Sequence, residues 1–255
     1  RGGTVVFSDD SRWLAFAITP TKEEADRPGT PPNGKVGLLN LRSGEMTEVD
    51  EVQSFTFSGE DAGWIALRRY PASGGGAAGS NGPAGPRGGS GENDRPRGVD
   101  VVLHELDTGV RLNLGNVSEY RFDESGRYLA WVVDAQGKAG NGIQLRDMST
   151  GVVQVLESDE ARYSRLAWAD DEMALLAIKA VDHDDFEDPL HSIVAWTGLG
   201  DGGQADKVVI DPREEEGFPS DMTISPNRPP SWSDGLDAIF FGIHEVEVKE
   251  EAGED

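Results

Sequence analysis

The sequence has 255 residues, with 23 Lys+Arg against 47 Asp+Glu, a formal net charge of −24. So acidic a chain lacks the basic footprint of a nucleic-acid binder. It has no Cys, which excludes disulfides, thiolate metal sites and a Cys nucleophile, and no run approaches the ~18 apolar residues of a membrane helix.

Taken in chain order, one phrase returns five times. It reads VVFSDDSRWLAFAI from Val5, FTFSGEDAGWIALRRY from Phe55 and YRFDESGRYLAWVV from Tyr120, then LAWADDEMALLAIKA from Leu166 and PSWSDGLDAIFFGI from Pro230. Each copy is an aromatic strand end, an acidic or Gly turn, and an apolar run, which predicts two strands joined by a tight reversal. The anchor aromatics Phe7, Phe57, Phe122, Trp168 and Trp232 are spaced by 50, 65, 46 and 64 residues. Between copies a second strand–turn–strand pattern recurs: VGLLNLRSGEMTEV from Val36, VDVVLHELDTGVRLNL from Val99, IQLRDMSTGVVQVL from Ile143 and a looser SIVAWTGLGDGGQADKVVI from Ser192. Helical periodicity is nearly absent; only Lys22–Asp26 and Asp159–Tyr163 read as a helical turn or two.

Each period therefore holds about four short strands, which predicts an all-β fold of propeller type. The runs Trp13–Ile18 and Tyr128–Val133 are apolar on both faces, as strands covered on both sides must be. Ala15, Ala17, Ala130, Ala174 and Ala177 are small residues where sheets would approach closely. A β-sandwich with similar strands is the alternative. Four blades read as complete, at about 4–50, 54–115, 119–156 and 165–211, and a partial fifth spans 222–243. A ring must close or leave open sheet edges, so the sequence, which opens at Arg1, predicts a fragment whose remaining blades follow Asp255. Residues 71–98, with ten Gly and four Pro among 28, predict a disordered insertion between the second and third strands of blade two. Residues 19–34 form a shorter polar insertion at the equivalent place in blade one, and 245–255 an acidic insertion or tail.

The chemistry-bearing motifs are sparse. No serine has the G-x-S-x-G context of a nucleophile elbow: Ser80 has Ala78 two residues before it and Ser90 has Glu92 two residues after it. The four His are His104, His183, His191 and His244. Gly74, Gly76, Gly79 and Gly198, Gly200, Gly203 match G-x-G-x-x-G, but neither leads from a strand into a helix, so both read as loop or turn glycines and no cofactor is implied. The acidic stretch Asp182, His183, Asp184, Asp185, Glu187, Asp188 offers Asp182, Asp184 and Asp185 as candidate ligands for a hard cation. Phe186 stands at a ligand position and no Gly follows, so a solvated acidic loop is the plainer reading. Arg1-Gly2-Gly3 and Arg87-Gly88-Gly89 are isolated RGG steps, and Asn116-Val117-Ser118 is a glycosylation sequon.

FSDDSRWLAFAI and FDESGRYLAWVV resemble the F-S-P-D-G-[KR]-x-[LI]-A-[FYW] repeat. The periplasmic propeller of the Tol system shares it with the N-terminal propeller of prolyl-oligopeptidase-family (S9-type) serine peptidases. Asp9 stands where that repeat has Pro and Ser11 where it has Gly. AVDHDDFEDPLHSIVAW and PPSWSDGLDAIFFGIHEVEVKEE resemble blades of the peptidases. The resemblance implies a non-catalytic propeller that gates and size-filters peptides for a C-terminal α/β-hydrolase domain. That domain and peptide substrates would be its partners, no catalytic residue would lie within these 255, and the compartment would be periplasm or exterior. The other member of the resemblance implies a stand-alone binding scaffold. A propeller glycosidase would need two converging carboxylates, and no pair stands out.

Overall fold

The computed structural model describes residues 3–26, 32–71, 98–170, 172–200 and 205–249. The chain divides into two compact units, residues 1–117 with 122–128, and residues 118–121 with 129–255. The expected insertion at 71–98 falls almost wholly outside the described residues.

The first sheet is an antiparallel meander of β1 (Val5–Phe7), β2 (Trp13–Ile18), β3 (Lys35–Asn40) and β4 (Met46–Val49). Next come β5 (Val52–Phe57), β6 (Trp64–Arg69), β7 (Val99–Glu105) and the long β8 (Arg111–Phe122), hydrogen-bonded in that order. Through Val117, β8 pairs with β7. Asn116 then takes a left-handed φ of 55°, and β8 continues as the neighbour of β9 (Tyr128–Val133), which is followed by β10 (Gly142–Asp147) and β11 (Val153–Ser158). A further four-stranded meander comprises β12 (Arg162–Trp168), β13 (Leu175–Val181), β14 (Leu190–Thr197) and β15 (Asp206–Ile210). The last element is a nested hairpin: β16 (Met222–Ile224) pairs with β19 (Ile243–Glu245), and β17 (Ser231–Trp232) with β18 (Ile239–Phe240). β5–β11 thus form one seven-stranded sheet in which β8 is the last strand of one meander and the first of the next, between two four-stranded sheets, and repeated antiparallel meanders of this kind are the blades of a β-propeller fold.

The recurring phrase is a recurring hydrogen-bond pattern. In each copy, the residue after the anchor aromatic donates its N–H to the carbonyl that opens the next strand. The pairs are Ser8 to Trp13, Ser58 to Trp64, Asp123 to Tyr128, Ala169 to Ala174 and Ser233 to Ala238, at 2.9–3.0 Å. In four copies the side chain closes the turn as well. The Ser8, Ser58 and Ser233 hydroxyls and the Asp123 carboxylate accept the opposing N–H at 2.9, 3.2, 3.0 and 2.6 Å. Ala169 has no such oxygen. The turn's left-handed position falls on Ser11, Gly126 and Leu236 in copies one, three and five, although only Gly adopts it at no steric cost. The second pattern behaves alike. Asn40, Glu105 and Asp147 each bond across a turn whose Gly44, Gly109 or Gly151 has φ near 75°.

Helical structure is confined to short pieces. Lys22–Ala25 is one turn with a capping box, in which Thr21 Oγ1 accepts the Glu24 N–H and Glu24 accepts the Thr21 N–H. The second expected turn is corrected: Arg162 onward is strand β12. Ala161 and Tyr163 are buried, and pairing Tyr163 with Lys179 across the sheet outweighs the local preference of a short acidic segment. A 3-10 turn at Gln136–Lys138 went unread.

Each unit has an apolar seam between sheets. In the first, Ala15, Val36, Leu38 and Val49 meet Val52, Phe57, Ile65 and Leu67. In the second, Leu176, Ile178, Ile193 and Ala195 pack on Ile224, with Trp232 and Ile239 beside them. Ala15, Ala130, Ala174 and Ala177 are fully buried, and Ala17 is half-buried.

Candidate functional site

The sequence-derived metal candidates do not converge. Both oxygens of Asp182 are engaged, one by Lys138 Nζ at 2.5 Å and one by Arg162 at 2.8 Å. Burial alone would raise its pKa, but these two cations hold the carboxyl below the usual range. Asp185 lies 3.6 Å from His183 Nδ1, its N–H donates to that nitrogen, and its carbonyl accepts from the Lys249 N–H at 2.9 Å. Asp184 is exposed. Residues Glu187 and Glu247 continue this ladder, with a bridge between Phe186 and Val248, so part of the expected acidic tail is pinned on the acidic loop. No group of three metal-ligating residues assembles among the described residues.

The remaining sequence candidates occupy structural places. His104 sits in the first unit's seam, where its Nδ1 accepts from Arg111 Nε at 3.1 Å. Burial and that guanidinium push its pKa down. Gly198 and Gly200 turn β14 into β15, both with positive φ, and Gly203 lies outside the described residues. His191 and His244 face each other across the seam between β14 and the terminal hairpin, ring centroids 6.3 Å apart. The Oγ1 of Thr223 accepts the His191 N–H at 3.2 Å. Burial lowers the His191 pKa, with His244 and Arg162 adding to the effect and Asp188 opposing it.

A concavity with converging polar groups lies in the second unit, and His183 and His191 are among the residues that line it. A cavity of about 180 Å³ opens between β11 and the face of β13–β15. Strand alternation builds it. Lys179 lies opposite Ser192, Val181 opposite Leu190 and Val194 opposite Val209, so on one face a polar row runs between two apolar ones. Glu157, on β11, is 8% exposed and bridges two strands. One oxygen is 3.5 Å from Lys179 Nζ, and the other contacts Lys207 Nζ. Lys179 also holds Asp159 at 2.6 Å, which lowers the Asp159 pKa. Tyr163 is buried, and that burial, with the charges of Glu157 and Asp159, drives its hydroxyl pKa far up and keeps it neutral. At the mouth, Arg213 holds Asp211 through Nη2 at 2.8 Å. Such a site supplies charge-assisted hydrogen bonds of both signs beside apolar rows. The only sequence signal for it was a lysine inside the apolar run LLAIKAV.

No protein-family model matches the sequence. No curated protein matches it. Among solved structures, the chain is similar to dipeptidyl peptidase 4 of Porphyromonas gingivalis. The identity is 10% and the TM-score 0.51, over 96% of this chain and 36% of that one. It is also similar to the β-propeller domain of the Trilobed protease from Pyrococcus furiosus, with 11% identity, TM-score 0.46, and 100% and 82% of the two chains covered. TolB from Acinetobacter baumannii follows at 14% identity and TM-score 0.40, covering 96% and 55%. At such identities the likeness to the peptidase shows the fold alone. The chain spans about a third of that peptidase's length. Among the described residues no helix is long and apolar enough to cross a membrane.

Proposed function

We propose that this chain is the propeller portion of a prolyl-oligopeptidase-like serine peptidase, acting in the periplasm or outside the cell. Its blades lie near 4–50, 54–115, 119–156 and 165–211, with a further one begun at 222–243. In this reading it does no chemistry itself. It narrows access to a hydrolase domain encoded beyond Asp255, admits short unfolded peptides and keeps the cleft dry, where electrostatic interactions are stronger. The observation that supports this most is the five-copy hairpin. Its phrase resembles the repeat of these propellers, and every copy is closed by the same backbone hydrogen bond.

Fluorophosphonate labelling of the full-length protein and of residues 1–255 tests the reading. The full-length protein is expected to label on a serine beyond Asp255, and 1–255 is expected to stay unlabelled. A labelled serine within 1–255 overturns the assignment. A reading frame that completes its blades and stops would make the protein a binding propeller instead.

A further inference from the structure

The cavity beside β15 presents charged and aliphatic side chains in alternating rows of one sheet face. Each cation already meets a carboxylate: Lys207 with Glu157, Lys179 with Asp159 and Glu157, and Arg213 with Asp211. Each lining cation is thus already paired, with Glu157 and Asp211 in the lining and Asp159 bound to Lys179, and the wall is dipolar instead of single-signed. An added ion of either sign would bring uncompensated charge into a half-enclosed space, which is costly. A ligand carrying both charges would not.

Hydrogen-bonding capacity remains on both sides. An ammonium has three N–H donors, a guanidinium five, and a carboxylate about four acceptor sites. Arg213 spends Nε and Nη2 on Asp211, at 3.1 and 2.8 Å, leaving its other N–H groups for a ligand carboxylate. Glu157 and Asp211 retain acceptor sites for a ligand ammonium.

On the same sheet face, Val194 and Val209 form a row between Lys207 and Asp211, and Val181 and Leu190 form the row beyond Lys179. Val181 and Val209 are 43% and 49% exposed, an apolar surface that a branched hydrocarbon would cover. The cavity volume is about 180 Å³, well above the ~10–15 Å³ of probe volume that one water needs. That leaves room for one small residue.

We propose that this cavity binds a free aliphatic amino acid, its zwitterionic head on Asp211 and Arg213 and its branched side chain on the adjacent Val194 and Val209. The site is independent of the peptidase reading, since it lies between sheet faces of the second unit and needs no catalytic domain.

Calorimetric titration of the 255-residue chain tests it, with four probes. L-valine is expected to bind one to one. Isovalerate lacks the ammonium and isobutylamine the carboxylate; each should bind at least about tenfold more weakly, a difference of ~1.4 kcal/mol. Divaline, whose ammonium and carboxylate stand a peptide unit further apart, should bind at least about tenfold more weakly. Arg213→Ala removes the mouth donor and Val209→Phe fills the apolar row. Each should weaken valine at least about tenfold, while the unliganded thermal midpoint stays within about 2 °C. The proposal is overturned if valine gives no heat at tens of millimolar (about the weakest range that titration resolves). It is equally overturned if isovalerate, isobutylamine or divaline matches valine, or if both variants bind valine unchanged.

Discussion

Within each of the two units sheet packs on sheet, and the two do so in contrasting ways. In the first, the seam is apolar, with Ala15, Val36, Leu38, Ile65 and Leu67 each at most 1% exposed. The second has an apolar seam too, around Ile224, but its other seam, between β11 and β13–β15, contains a buried carboxylate between two lysines and an open cavity. An apolar seam is stabilised roughly in proportion to the area removed from water. An ionic seam gains far less, because desolvating the charges offsets most of their attraction. One repeated scaffold therefore provides a rigid joint in one unit and a polar recess in the other.

The largest expected effect comes from breaking the apolar seam. Leu67→Ala leaves a cavity at a fully buried position and should cost about 3 kcal/mol in chemical denaturation. The turn contact within the same unit should cost about 2 kcal/mol or more on Gly126→Ala. There φ is +77° and a Cβ would stand 2.0 Å from the Ser58 carbonyl oxygen. Gly44→Ala, with φ of +74° but nothing within 4 Å, isolates the backbone cost at about 1 kcal/mol. In the ionic seam, Glu157→Gln leaves Lys179 and Lys207 without their shared partner. Lys207 is substantially exposed, so the loss should be only about 1–2 kcal/mol. If Glu157→Gln costs more than Leu67→Ala, the contrast between the seams fails.

Acidification should act on both units through two buried imidazoles. His104 and His191 have pKa values held below the ordinary value of about 6.5. Below that pH the unfolded chain takes up protons that the folded rings refuse, so stability falls as pH drops through it. The carboxylates act in a lower window. Burial would raise Asp10, but hydrogen bonds from Ser8 and Arg12 bring it to about 2, so its contribution is present above its unfolded pKa near 3.8 and lost as pH falls toward 2. Thermal midpoints between pH 7.5 and 5.5 should decline less in the His104→Gln, His191→Gln double variant than in the parent; parallel declines would remove the imidazoles from the account.

The hairpins were legible in the sequence because their determinants are local. An aromatic anchor, a Ser or Asp after it and a turn of four or five residues specify both strands and the closing bonds. Even the degenerate fourth copy, with Ala169 in place of Ser, keeps its backbone bond. The cavity was not legible, because Glu157, Lys179 and Lys207 meet from three strands whose pairing no local pattern reveals. The acidic stretch misled for the converse reason. Neighbours in an extended loop point apart, and Asp182 is held by Lys138 and Arg162 from distant elements. At Asp159–Tyr163, tertiary burial of Tyr163 overrode a weak helical preference.

The central claim is that these sheets are successive modules of one ring. The first sheet bears on it directly, because Val5 and Phe7 leave an apolar face 56% and 59% exposed. A crystal structure of the intact full-length protein is the most direct test. The account predicts sheets related by successive rotations about one axis, with a later sheet covering Val5 and Phe7. Two layers packed face to face without rotational repetition would contradict it.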